Sequence, residues 1–387
     1  MERIVISPRH NWQKLVENQG FLYHTLDDVP YWNEEACYKF TEREILMLES
    51  TTQELHTMCI AAAQFVVDHN LFYLFGIPEE VIPLIRHAWE NSDNGFWSLY
   101  GRFDLAYDGT SLPKLLEFNA DTPTSLFESS IVQWFWLQDF KPSADQFNSI
   151  DEKLRAAWEF IHNNYRSSCY HFACLKEARG NISQLQLRED ITNTAYILDT
   201  ASSVKGLHYF FTDIGNITWN GKEFTDEHEK PLGTIFKLYP WEWMIHEVSI
   251  ANFGKSNVNW IEPIWKMLWS NKALLPILWQ LYPNHPNLLP SYFEPNSTSY
   301  VKKPKLSREG ANIQIVQNNQ IVTKTAGNYG AEGFIYQDLA HIPNIEGNYP
   351  VIGSWIIGGE AAGMGIRESN TIITNNTSRF VPHYFEK

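Results

Sequence analysis

Two short strand-like runs carry the residues of this chain best suited to chemistry. Side chains alternate across a strand. In Leu99-Tyr-Gly-Arg-Phe-Asp104 the Arg102 guanidinium and the Asp104 carboxyl therefore share one face, with Phe103, Leu105 and Tyr107 on the other. In the second run Glu117 and Asn119 share a face, opposite to Leu116 and Phe118. An Asp108-Gly109 turn signal between the runs predicts a β-hairpin over Trp97 to Asp121. If the polar faces coincide, two carboxylates and an amide oxygen suit Mg²⁺, which takes the rest of its octahedron from water and substrate phosphates. Arg102 could then grip a transferring phosphoryl group. The same residues could also form a solvated polar face with Arg102 and Asp104 simply ion-paired, and spacing alone favours that plainer use.

A second cluster shifts the balance. Around Tyr300-Val-Lys-Lys303-Pro304 a strand presents lysines and runs into the polar loop Ser307-Arg-Glu-Gly-Ala-Asn312. Backbone amides in such a loop can cradle phosphate oxygens, with lysine as the compact positive partner. Other signatures fail. Gly221-Lys222 has Asn216 where a P-loop needs its first glycine, and Gly363-Met-Gly365 reaches Glu368 where a dinucleotide fingerprint needs its last. His246-Glu247 meets Ile250 where the second zinc histidine would stand, and no GxSxG elbow occurs.

Several elements must position these groups. The clearest helix spans 41 to 69, with Thr41 and Glu44 as a capping box and Ile45, Leu48, Leu55, Met58, Ala62 and Phe65 as its apolar face. A second helix follows Pro78, and Thr122-Pro123 reads as an N-cap and first-turn pair opening a third through Leu137. The middle third alternates strands near 170–175 and 207–211 with helices near 151–164 and 190–202. The segment 260–283 reads as an apolar helix, and 285–297 as a Pro- and Asn-rich connection. From Ser299 onward β-prone stretches dominate, at 301, 313–316, 321–323, 334–336, 351–357 and 371–374. The expected class is α/β (α+β).

Composition bounds the function. A net charge of −15 repels nucleic-acid backbones and anionic membranes, so neither is an expected partner. Cys37, Cys59, Cys169 and Cys174 lack zinc spacing and read as free, buried thiols. No stretch approaches the ~20 apolar residues of a membrane span, and the N-terminus has no signal-peptide core, so the expected location is cytoplasmic. The many aromatics, including 15 tryptophans, are expected in packed cores rather than sugar platforms.

Taken together, five blocks carry a resemblance. They are the Leu99–Asp104 run, Leu116-Glu-Phe-Asn-Ala-Asp-Thr-Pro-Thr-Ser125, Asn271-Lys-Ala-Leu-Leu-Pro276, Lys303-Pro with Arg308-Glu-Gly310, and Ile335-Tyr-Gln-Asp-Leu339. In this order, from about residue 10 to the C-terminus, they resemble the glutathionylspermidine synthase family, in particular its synthetase domain and its stand-alone acid–amine ligases. The resemblance implies a variant ATP-grasp fold, with ATP clamped between lobes built on antiparallel sheets. The chain would form one catalytic unit over 1–387. About 1–255 would hold the metal hairpin and substrates, about 256–387 would clamp the nucleotide, and an amidase domain would be absent.

The implied chemistry is ATP- and Mg²⁺-dependent joining of a small-molecule or peptide carboxylate to an amine through an acyl-phosphate. The family's magnesium ligands for two ions fall on Asp104, Glu117 and Asn119, with Glu117 bridging, and its catalytic arginines on Arg102 and Arg367. Nucleotide contacts fall on Arg102, Phe103, Asp104, Lys272, Lys303, Glu309, Gly310, Gln337, Asp338, Leu339 and Ile372. For Lys272 the sequence by itself suggests only a snorkelling surface lysine. Acid-substrate contacts fall on Thr122 and Glu189, but Leu238 stands where the synthetase has a polar contact, so the acid is expected to differ from glutathione. Two other classes stay open: a nucleotide-binding regulatory module that has lost turnover, and a carbohydrate-active hydrolase using Asp104 and Glu117 as paired carboxylates.

Overall fold

The computed structural model describes residues 1–26, 28–92, 98–165, 167–178, 183–375 and 378–386; Trp97, expected to open the hairpin, lies outside the described residues. Strands Tyr100–Ala106 and Lys114–Asn119 pair antiparallel, with Arg102 opposite Asn119, Phe103 opposite Phe118 and Asp104 opposite Glu117. Phe103 and Phe118 stack with 3.9 Å between ring centroids, which buries the apolar side and turns all four polar side chains to the other. The register then slips between Asp104 and Leu105, so Leu105 meets Leu115 and Leu116 is the extra residue of a bulge. A bulge re-aims a side chain. Leu115 therefore joins the core, while Leu116 lines the cleft beside Glu117, against the strict alternation expected.

The hairpin forms one edge of a five-stranded antiparallel sheet whose order is Arg379–Val381, Glu360–Ser369, Tyr349–Ile357, Tyr100–Ala106, Lys114–Asn119. Strands from the end of the chain thus complete a sheet begun near residue 100, and that sheet crosses the division expected near 255. Helix Glu42–Asp68 starts at the expected Thr41–Glu44 capping box and packs on one face of the sheet, where Leu48 and Leu55 share a core with Phe103, Ile352 and Met364. Helix Ile150–Asn164 packs on the other face, in a second core with Trp136, Trp158 and Trp355. The aromatics are used for packing, as composition suggested. Three of the four cysteines are buried thiols, whereas Cys169 is half-buried.

Two further sheets approach the cleft. One is parallel, in the order Asn259–Ile261, Thr234–Lys237, Cys169–Cys174, His208–Asp213. The other is antiparallel, in the order Ser291–Tyr292, Phe334–Gln337, Tyr300–Pro304, Gln314–Gln317, Gln320–Lys324, and carries Lys303 and Gln337.

Three local expectations fail for tertiary reasons. Thr122-Pro123 caps nothing: the helix begins at 126, after Ser125 at φ 66°, and its first amides, Leu126 and Phe127, are taken by Asn193 Oδ1 from another helix. The segment 260–283 is not one helix but the Asn259–Ile261 strand, a single turn at Ile264–Met267 and helix Leu274–Leu281. Buried polar groups break it, since Lys266 donates to the carbonyls of Tyr100 and Ala120 and Asn271 to that of Phe75. Residues 371–374 form no strand, and the helix expected at 190–202 starts six residues earlier, as Gln184–Ala201, from a Ser183–Gln186 capping box.

Candidate active site

The polar face of the hairpin opens into a cleft whose lining includes most of the residues singled out from the sequence. Arg102, Asp104, Glu117, Asn119, Thr122, Glu189, Lys303, Glu309, Gly310, Gln337, Asp338, Leu339, Arg367 and Ile372 all line it. Phe103 does not: its ring is fully buried on the opposite face of the strand, so the side chain is unavailable to a nucleotide.

Arg102 grips Asp104 from two nitrogens, Nε to Oδ1 at 2.7 Å and Nη2 to Oδ2 at 3.2 Å, and sends Nη1 to the Thr124 carbonyl at 2.6 Å. Burial opposes its charge, but the adjacent Asp104 carboxylate holds the guanidinium above its ordinary value. Room for it comes from Gly353, which pairs with Asp104 across the sheet; a Cβ there would lie 2.7 Å from Arg102 Cδ. From the next strand Arg367 Nη2 reaches Asp104 Oδ2 at 2.9 Å.

Asn119 binds both carboxylates, with Nδ2 at 3.3 Å from Asp104 Oδ2 and 3.2 Å from Glu117 Oε1. Turning the carboxamide over would present its oxygen to the same point. Glu117 Oε2 meets Lys272 Nζ at 2.8 Å. Burial pushes the Glu117 carboxyl up, but Lys272 and Lys303 more than offset this and hold it well below the usual carboxylate range. Lys272 is 6% exposed, in the turn before helix Leu274–Leu281, and also donates to the Ser307 carbonyl at 2.7 Å. It is no snorkelling surface lysine.

Lys303 Nζ donates to Gln337 Oε1 at 2.6 Å and to the Leu116 carbonyl at 2.9 Å. Burial pulls its ammonium down to about 8, against the Glu117 charge that raises it. Asp338 and Leu339 continue the strand end beside Gln337, and burial pushes the Asp338 carboxyl up. Across the cleft, Glu309 and Gly310 both take positive φ. A Cβ at Gly310 would lie 2.4 Å from the Thr374 carbonyl oxygen, so this loop packs against the stretch that carries Ile372. Gln186 Nε2 holds Glu309 Oε1 at 2.6 Å.

Sequence reasoning passed over several groups here. Arg308 Nη2 donates to Thr122 Oγ1 at 2.8 Å and to Glu242 Oε1 at 3.2 Å, tying the loop to the body of the cleft. Its place between Ser307 and Glu309 in the phosphate-like loop was a signal, but its partners lie far off in sequence. Leu175 and Asp190 also went unmarked: Leu175 joins Trp243 and the already noted Leu238 in an apolar wall, and Asp190 lies beside Glu189. Burial pushes both acidic carboxyls up.

The donor set fits a hard, oxygen-seeking cation. Two carboxylates and a carboxamide converge beside a phosphate-sized space rimmed by Lys303, Arg102 and Arg367. Among the described residues, no three His, Cys, Asp or Glu side chains gather where they could hold a metal ion, and the set here is two carboxylates and a carboxamide. A divalent ion on Asp104, Glu117 and Asn119 would compete with Lys272 for Glu117 and complete its shell from phosphate or water.

The architecture is mixed α/β and similar in fold to a glutathione synthetase-like effector from Globodera pallida, solved in its apo form, which superposes with a TM-score of 0.54 at 10% identity, over 97% of this chain and 98% of that one. The sequence goes further, matching the glutathionylspermidine synthase preATP-grasp family over residues 3–386, and the chain belongs to that family. It is 39% identical to a proposed acid–amine ligase of Haemophilus influenzae, over the full length of both chains. It is 28% identical to trypanothione synthetase of Crithidia fasciculata and 26% identical to the bifunctional glutathionylspermidine synthetase/amidase of Escherichia coli. These matches cover 86% and 89% of this chain but only 57% and 58% of those two relatives, so the chain spans just over half their length. No helix among the described residues is long and apolar enough to cross a membrane.

Proposed function

We propose that this chain is an ATP- and Mg²⁺-dependent ligase that joins a carboxylate to an amine through an acyl-phosphate, on a variant ATP-grasp fold. The observation that carries this is the meeting, in one cleft, of the Asp104–Glu117–Asn119 oxygen set with Arg102, Arg367 and Lys303, while the buried Lys272 pairs with Glu117. Family membership supports it. The part up to about residue 255 supplies the hairpin and the acid-binding wall, and the part beyond it the nucleotide contacts. A chain that consumes ATP fits a cytoplasmic setting.

Lys303 and the Glu309–Gly310 loop would bind the nucleotide phosphates, and Gln337, Asp338, Leu339 and Ile372 the base. Asp104, Glu117 and Asn119 would hold two magnesium ions, which when bound neutralise charge on the transferring phosphoryl group. Arg102 and Arg367 orient the acid and the γ-phosphate, contributing charge-assisted bonds where negative charge collects. Thr122 and Glu189 would meet the acid substrate, with Arg308 holding Thr122 in place.

A carbohydrate hydrolase fits less well. It needs one carboxyl poised as a general acid, whereas Asp104 is gripped by two arginines and Glu117 is held ionised by lysines. The acid substrate is other than glutathione. Leu238, buried in the cleft wall, would leave a polar substrate group unpaired at a cost of about 1–3 kcal/mol.

The test uses the purified chain with MgATP, hydroxylamine as a small amine, and a panel of peptide and small carboxylates. An acyl-phosphate is trapped as a hydroxamate with stoichiometric ADP. No hydroxamate with any carboxylate, despite tight ATP binding, favours a nucleotide-binding module without turnover. Efficient glutathionylspermidine formation from glutathione and spermidine would sink the specificity claim alone.

A further inference from the structure

Amide formation needs the amine as a free base, yet an alkylamine holds its proton up to about pH 10. The cleft must therefore supply a proton acceptor near the point of attack. The hairpin offers none, because cations occupy both of its carboxylates. Five other acidic residues line the described cleft: Glu189, Asp190, Glu242, Glu309 and Asp338. Glu242 is paired with Arg308, Glu309 accepts from Gln186, Asp190 faces Arg308, and Asp338 stands at the strand end beside Gln337, where the nucleotide base is proposed to lie. Glu189 faces the reacting end instead. Its carboxyl lies in the field of Arg367 and Arg102, with Glu309 as the nearby like charge, beside Thr124, whose carbonyl binds Arg102.

Behind Glu189 stands a second carboxyl that the reaction scheme does not use. Glu128 is fully buried, and its Oε1 accepts from the Tyr31 hydroxyl at 2.8 Å, with Tyr23 against it. The segments carrying the two acids are tied together by Asn193, which donates from Nδ2 to the Glu189 carbonyl at 2.8 Å and accepts the Leu126 amide through Oδ1 at 3.1 Å. Neighbouring buried carboxyls cannot both ionise freely. Burial and then the Glu189 charge push Glu128 up to about 8.

We propose that Glu189, backed by the buried Glu128, is the base that takes the ammonium proton of the amine substrate. This rests on the ligase reading above. One proton passes from the ammonium to the Glu189 carboxylate, and the freed nitrogen lone pair attacks the acyl-phosphate carbonyl. The C–N bond forms, and the C–O bond to phosphorus breaks with its electron pair leaving on phosphate. Phosphate carries off the second nitrogen proton as hydrogen phosphate, and Glu189 returns its proton to solvent through the cleft. Glu128 is a positioning residue: burial keeps it the neutral member of the pair, which leaves Glu189 as the carboxylate that can accept a proton, and it does not touch substrate.

The experiment compares two small amines with the full chain, MgATP and whichever carboxylate gives hydroxamate. Hydroxylamine is a free base at neutral pH and methylamine is an ammonium. Glu189→Gln also loses the proposed acid contact and so slows both reactions, but it is expected to slow methylamide formation about a hundredfold more than hydroxamate formation, with that excess loss recovering as pH rises toward the amine's own pKa. Glu128→Gln, which copies the neutral carboxyl and keeps an acceptor for Tyr31, should match the wild-type methylamide rate near neutral pH, fall below it above about pH 8 where the wild-type Glu128 ionises and strengthens the base, and leave the hydroxamate profile in place. Equal loss with both amines, or an unchanged methylamide rate, overturns the assignment. A wild-type chain that makes no hydroxamate at all overturns the ligase reading, and this assignment with it.

Discussion

Glu117 and Lys272 meet at 2.8 Å across the cleft floor, the one a hairpin carboxylate on the metal face, the other a turn lysine that also holds the Ser307 carbonyl. The pair links the proposed metal ligand directly to the proposed phosphate loop. Removing Glu117 takes away both a bridging ligand and the partner of Lys272, whereas removing Asn119 takes away one neutral donor. Glu117→Ala should therefore abolish ADP release at saturating Mg²⁺, and Asn119→Ala should leave measurable turnover with a raised Mg²⁺ requirement. Equal residual rates in a magnesium titration would count against the bridging role.

Lys237 and Asp121 form a pair at 2.8 Å, with side chains 0% and 1% exposed, next in sequence to Leu238 and Tyr239 of the cleft lining. Asp121 also accepts the Trp241 amide, and Lys237 donates to the Tyr239 carbonyl. Lys237→Met leaves a buried carboxylate uncompensated, which costs about 3–5 kcal/mol. Chemical denaturation should show that loss, and adding Asp121→Asn should recover part of it. A single variant as stable as the wild type would mean the pair is not structural.

How much of this was legible in sequence depends on how far each residue's partners lie. The hairpin was legible because its period of two survives folding: the apolar side is held by Phe103 on Phe118, local neighbours across one turn. The bulge at Leu116 was not, since nothing in the pattern marks which residue is extra. Thr122-Pro123 is a good cap in isolation and lost to Asn193, which reaches the same amides from a distant helix. Lys272 sits before an apolar helix, and only its distant partners, Glu117 and the Ser307 carbonyl, explain why it is buried. Only the family blocks singled it out, and its nucleotide role stays a proposal.

Gly353 opposes Asp104 and lies under the Arg102 side chain, where a Cβ would come within 2.7 Å of Cδ. Arg102 is pinned at its far end by Asp104 and the Thr124 carbonyl, so it cannot swing clear without losing a bond. Gly353→Ala should lower kcat about ten- to hundredfold, the loss expected from one misplaced charge-assisted contact of about 1.5–3 kcal/mol, with little change in circular dichroism. A kcat within a factor of about two of wild type would show that Arg102 tolerates displacement.

Glu128 gives the fold a pH dependence of definite sign. Its carboxyl is raised from 4.5 to about 8 by burial and the Glu189 charge. A raised acid favours the folded state fully below its unfolded pKa, and that contribution fades as pH rises from 4.5 through about 8. At roughly 1.4 kcal/mol per pH unit the loss amounts to a few kcal/mol. Glu128→Gln stays neutral throughout, so the wild type should lose more stability than the variant between about pH 5 and pH 9 in thermal melts. Parallel curves would remove Glu128 as the source.

Lys303 carries the last prediction, because its two roles pull in opposite directions. The ammonium is buried, 7% exposed, and already satisfies Gln337 Oε1 and the Leu116 carbonyl, so burial draws its pKa down to about 8. Phosphate binding needs the charged form. Below about pH 8 the site is charged before nucleotide arrives; above it, binding must take up a proton. ATP affinity should therefore weaken as pH rises past that point. Lys303→Ala deletes one charge-assisted contact of about 1.5–3 kcal/mol, a loss of roughly ten- to hundredfold in affinity, and should also flatten the alkaline dependence. Calorimetry of ATP binding to both chains, in buffers of different ionisation enthalpy, measures the affinity and the proton uptake together. An unchanged affinity in the variant, or a wild-type affinity that holds steady well above that pH with no proton uptake, would take Lys303 out of the phosphate site.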